Sequence, residues 1–150
     1  MGILDVKESL EAILSSTSDG GTFIPITDQT VFCVEKYQGG YFWGLTSTML
    51  TIADQTSGPN CYQLVGSVTP QGSVNLSFIP IASSGVPTNG RGTIRFVENQ
   101  WTMENQMSTS ASEGTVTHWA YIIQCISGQQ CMQNLPGTSL TLSEMLAPCR

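Results

Sequence analysis

Ser73-Val74-Asn75-Leu76-Ser77-Phe78, inside the longer stretch from Tyr41 to Ser108, alternates polar and apolar residues without a break. Ile94 and Phe96 alternate in the same way with Thr93 and Arg95, and Trp101, Met103 and Met107 with Thr102, Glu104, Gln106 and Ser108. A period of two turns one side of each strand toward a core and leaves the other in water. The stretch therefore reads as antiparallel β-structure, and the rest of the chain as elements that complete it.

Working outward, strands are expected at Thr30 to Tyr37, Tyr41 to Ala53 and Cys61 to Val68, with Gln38-Gly39-Gly40 and Asp54 to Pro59 as turns. Gly44 marks a bulge or bend. Pro25, at the end of a short extended piece, belongs at a sheet edge because it has no N–H to give a ladder. Strands follow at Ser73 to Pro80, Gly92 to Val97, Gln100 to Thr109 and Thr115 to Ile126, the last apolar on both faces and so expected to be covered on both. Ala82 to Gly90 and Ser110 to Gly114 read as loops of small residues.

At the N-terminus Ile3, Val6, Leu10, Ile13 and Leu14 recur at helical spacing, and Asp5 with Glu8 resembles a capping box, which predicts a helix from Asp5 to Ser16. Ser15 to Gly21 would be a linker, dividing the chain into residues 1–21 and a β-domain over 22–150. Thr141 and Glu144 are placed as a second capping box, with Leu142, Met145 and Leu146 as a buried side and Pro148 as the stop, predicting a short C-terminal helix. Many short strands and no alternating long helices make this an all-β chain, an antiparallel sandwich or barrel.

Composition limits the function classes. Only 11% of the 150 residues are charged, against roughly 25% in an ordinary soluble domain. Five Lys and Arg with a net charge of −6 argue against nucleic acid and against anionic membrane surfaces. No apolar run nears the ~18 residues of a membrane span, and no basic start followed by an apolar stretch predicts a secretory signal. The cysteines Cys33, Cys61, Cys125, Cys131 and Cys149 fit no zinc spacing, so no metal is expected. They read as free thiols, with Cys125–Cys131 across the Gly128 loop as the local disulfide to consider.

Nor is catalysis or a cofactor expected. No GxSxG, GxxxxGK[ST] or HExxH is present, the acidic residues are scattered, and the single His118 sits mid-strand in a structural or solvent-facing role. Binding is the better class. Tyr41, Phe42, Trp43, Tyr62, Trp101 and Trp119 are flat residues on a polar domain, and aromatic faces beside hydroxyls and amides suit sugar recognition. All of them also fall at strand spacing, where core packing is the ordinary role.

Several segments, in order, resemble the receptor-binding head of the rotavirus outer-capsid spike protein: Gly21-Thr22-Phe23-Ile24-Pro25, Phe42-Trp43, Tyr62-Gln63-Leu64-Val65-Gly66, Gly92-Thr93-Ile94-Arg95-Phe96, Gln106-Met107-Ser108-Thr109 and Tyr121-Ile122-Ile123. The resemblance implies a galectin-like β-sandwich on the virion outer capsid surface, made in the host cytoplasm and joined to the remainder of the spike protein. It would bind a host glycan or another cell-surface receptor, without inserting into a membrane. In that family an Arg beside the Trp holds a sialic acid carboxylate. Phe42 stands at that position here, so a neutral glycan is the expected ligand. The expected contacts are Phe42, Trp43, Arg95, Trp101 and Ser108. The rival expectation is a calycin-like β-barrel, a meander with inward aromatics that carries a small apolar ligand inside.

Overall fold

The computed structural model describes residues 2–15, 22–52, 54–82, 86–111, 114–126, 128, 135 and 140–150, with residues 2–15 and 22–27 described by their backbone. The strands are β1 (Gly2–Ser15), β2 (Thr22–Gln38), β3 (Tyr41–Ile52), β4 (Gln55–Val68), β5 (Ser73–Pro80), β6 (Thr88–Val97), β7 (Gln100–Ala111) and β8 (Gly114–Cys125). One short helix, α1 (Leu142–Leu146), follows and passes into a 3-10 turn at Ala147–Cys149. The chain is thus all-β, a curled antiparallel sheet with one C-terminal helix.

Each strand pairs with the next, and β8 pairs back onto β1, so the hydrogen-bonded order returns on itself. The tight connections have backbone reasons. Gly39 and Gly40 both have positive φ, 59° and 86°, the geometry a two-residue hairpin needs to match strand twist. Glu98 and Asn99 adopt the same conformation, at 50° and 64°, between β6 and β7.

The N-terminal segment corrects the sequence reading. The helix expected from Asp5 to Ser16 is strand β1, laid between β2 and β8 with a register shift on each side. Without it those two strands would each carry a row of unpaired N–H and C=O groups. That long-range demand outweighs a local helical period worth only tenths of a kcal/mol per residue. The linker over 16–21 lies outside the described residues. Pro25 sits in the part of β2 that pairs with β1, opposite Ala12, ahead of the pairing with β3 that begins at Thr27.

Cross-strand partners share a face, and the registers define an inner set: Phe32, Phe42, Leu64, Val74, Leu76, Phe78, Met103, Met107, Ala120 and Ile122 form one buried cluster. Phe32 and Phe78 pack with ring centroids 5.4 Å apart. Glycines on this face make room for large neighbours. A side chain at Gly66 would collide with the Phe42 ring, and one at Gly90 would come 2.5 Å from Met107 Cγ. The bulge expected at Gly44 lies opposite it on β2, between Val34 and Lys36, where the Cys33 carbonyl closes on Gly44.

Outside the curl, Val31 and Cys33 of β2 meet Leu135, Leu142, Met145 and Leu146 in a second cluster. The capping box forms as expected: Thr141 accepts from the Glu144 N–H at 3.2 Å, and the Thr141 N–H donates to Glu144 Oε2 at 2.7 Å. Ser47 Oγ donates to the Met145 carbonyl at 2.5 Å, tying α1 to β3. Cys149 is bonded to Cys61 of β4, 88 residues away. Cys125 is also oxidised, and Cys33 alone is free among the described residues. The expectation of free thiols therefore fails at Cys61, Cys125 and Cys149, while Cys131 lies outside the described residues. β8 is not covered on both faces as expected, because Trp119 on its outer side is 39% exposed.

Candidate ligand cavity

Three hairpins end at the same edge of the curl: Gln38 to Tyr41, Val68 to Ser73, and Val97 to Gln100. All three are tight, and the first has two glycines at its tip. Beneath them lies a cavity of about 1270 Å³. Its wall is mainly apolar, with Phe42, Val74, Ile94, Phe96, Trp101 and Met103 as the principal side chains. Small-molecule clefts commonly measure roughly 300–1,000 Å³, so there is room for a ligand of that class.

The wall follows from the registers. Ile94 pairs with Met103 and Phe96 with Trp101, which puts all four on one face of the β6–β7 hairpin, the first pair deep and the second at the rim. The Phe96 and Trp101 rings meet edge to face, with centroids 5.2 Å apart, and both stay largely exposed. Tyr37 flanks the same rim, 65% exposed. Among the described residues of this lining Arg95 is the one that is charged. Gln124 accepts a hydrogen bond on its Oε1 from the Trp101 backbone N–H at 3.1 Å, which anchors the rim to β8.

Of the five residues expected to make contacts, Phe42, Arg95 and Trp101 come together at this cavity. Trp43 does not. It lies on the outer wall opposite Val65, where both are exposed. Ser108 is on β7 beyond Met107, seven residues from Trp101, or about 20 Å along the strand. Trp119 is likewise outside, its indole N–H donating to Glu104 Oε1 at 3.2 Å. The His118 side chain lies outside the description. Sequence reading missed the rim residues Tyr37 and Val68. Period two marked inner faces but could not show which of them face open space.

At the opposite end of the inner face the polar groups satisfy one another. Thr30 Oγ1 and Thr48 Oγ1 donate to Asp28 Oδ1 at 2.5 and 2.6 Å, and Thr46 Oγ1 donates to the Val31 carbonyl at 2.9 Å. Asn105 differs. It is 1% exposed, and neither its Nδ2 nor its Oδ1 has a hydrogen-bond partner. Leaving such groups unpaired costs about 1–3 kcal/mol each.

Among the described residues no cluster of three or more His, Cys, Asp or Glu is placed to hold a metal, and no helix is long and apolar enough to cross a membrane. No family model matches the chain, and no curated protein or solved structure does either. The likeness to the rotavirus spike head accordingly rests on the short segments quoted above.

Proposed function

We propose that the chain is a calycin-like barrel rather than a galectin-like sandwich, and that it binds a small, largely apolar molecule through the open mouth. The observation that carries this reading is the cavity of about 1270 Å³ walled by Phe42, Val74, Ile94, Phe96, Trp101 and Met103. The return of β8 onto β1 supports the barrel, since a meander closed in a ring encloses an interior. The apolar wall below the rim favours a ligand whose buried part is neutral, because burying an unpaired charge is costly. No chemical step is assigned to the site. The Cys61–Cys149 bond favours an oxidising compartment.

The test is a titration with phenylnaphthylamine, an apolar dye that brightens out of water. The reading expects a saturable gain with one dye per chain and energy transfer from Trp101. Trp101→Ala should weaken binding. A dye that stays dark in the presence of the native protein contradicts the reading.

A second reading, attachment of a virion surface domain to a host glycan, draws on a different face. Tyr41, Trp43 and Val65 are exposed on the outer wall of β3 and β4, an aromatic surface of the kind that stacks on a sugar. Glycan-array binding lost on Trp43→Ala, with dye binding retained, would favour it.

A further inference from the structure

We infer that the Asn105 carboxamide is the polar anchor of the cavity, and that the ligand carries at its inner end a neutral group with a donor and an acceptor side by side, a primary amide or a lactam, on an otherwise apolar body. The inference rests on the cavity reading above and adds to it the chemistry of the ligand's head.

Asn105 is buried to 1% exposure with both ends of its amide unpaired, and it is the residue with such atoms among those described. A side-chain amide can donate two hydrogen bonds and accept two, and buried amides without any partner are rare in folded proteins. Its immediate register neighbours do not supply them. Its cross-strand neighbours are Gly92 and Ala120, and its same-face neighbours along β7 are Met103 and Met107. None of these side chains offers a conventional donor or acceptor. Gly92 is fitted to this arrangement, because a Cβ there would lie 2.7 Å from Asn105 Cβ.

Asn105 is not itself part of the cavity wall but lies directly behind it. Met103, two residues along β7 and so about 7 Å away, is part of the cavity wall, as is Val74, which pairs with Gly92. A methionine has three rotatable bonds and adapts its shape readily, so Met103 can swing aside for a ligand that reaches deeper. The amide's adjacent N–H and C=O select a head group that presents the complement of both. A carboxylate has no donor and would be buried without a countercharge, whereas Arg95 stands at the rim.

The experiment is displacement of phenylnaphthylamine from the full chain by decanamide and by methyl decanoate, which share an alkyl tail. Decanamide is expected to bind on the order of tenfold more tightly, and Asn105→Leu should bring the two to about parity. Equal binding by the native protein overturns the anchor, as does a preference that survives Asn105→Leu, and an interior water as the amide's true partner would give the former result. Should the dye fail to bind at all, the cavity reading falls and the anchor with it; dye binding without amide preference removes the anchor alone. If Asn105→Leu does not fold, the Asn105 side-chain amide resonances of the native protein decide. They should shift with decanamide and stay in place with methyl decanoate, and the absence of that difference overturns the proposal.

Discussion

The Phe42 ring lies over Gly66, its register partner on β4, so closely that a Cβ at position 66 would fall 2.6 Å from Phe42 Cε2. The Asn75 carbonyl, 2.9 Å from the same point, blocks retreat on the other side. The wall of the cavity is therefore set by a glycine that contributes no side chain to it.

Gly66→Ala should consequently push the Phe42 ring from its place. Overpacking of this kind costs about 1–3 kcal/mol, read as a lower midpoint in urea. Because Phe42 also lines the cavity, dye affinity should fall in the same variant. Loss of stability with unchanged dye affinity would detach Phe42 from the binding wall.

Removing the Cys61–Cys149 bond should destabilise the fold by roughly 2–5 kcal/mol, since it closes a long loop and the unfolded chain gains most of the freed entropy. Chemical denaturation of the Cys61→Ser, Cys149→Ser double variant measures this. Cys33 should stay unlabelled by a thiol reagent until the protein unfolds, because burial and then the Glu35 carboxylate push its thiol above the ordinary value.

Acid should loosen the C-terminal helix first at its cap. The backbone N–H of Thr141, then its hydroxyl, hold the Glu144 carboxyl below its ordinary value. A depressed carboxyl contributes stability that is fully present above the unfolded value and disappears as pH falls through the folded one. The difference in melting temperature between the native protein and Glu144→Ala should therefore be largest near neutrality and shrink through the carboxylate range. Thr141→Ala should cost about 0.5–2 kcal/mol through the same cap.

Local pattern was sufficient where local physics decides. Ser73–Pro80 has the boundaries its alternation predicts, and the Thr141–Glu144 cap forms as its spacing requires. It failed where a distant partner decides. Ile3, Val6, Leu10, Ile13 and Leu14 suit a helix, yet the segment is held as a strand by the open edges of β2 and β8. Strand β4 begins at Gln55, within the expected Asp54 to Pro59 turn, because β3 continues opposite it to Ile52. The Cys61–Cys149 pairing was illegible because nothing in a linear spacing reports that the tail crosses β4. At the cavity, Phe42, Arg95 and Trp101 were picked out as aromatic or charged residues, but Trp43 and Ser108 fell away, since each is on an outer face. Asn105 gave no signal at all, because the missing partner that distinguishes it is a property of the fold.

Methionine methyl NMR during ligand titration tests the central claim most directly. Met103 lies in the cavity wall, whereas Met145 is buried under the outer wall and Met49 packs beside it. Addition of phenylnaphthylamine should shift and saturate the Met103 methyl signal while Met49 and Met145 hold still. A Met103 signal that does not move, or one that moves no more than Met145, would contradict binding inside the mouth.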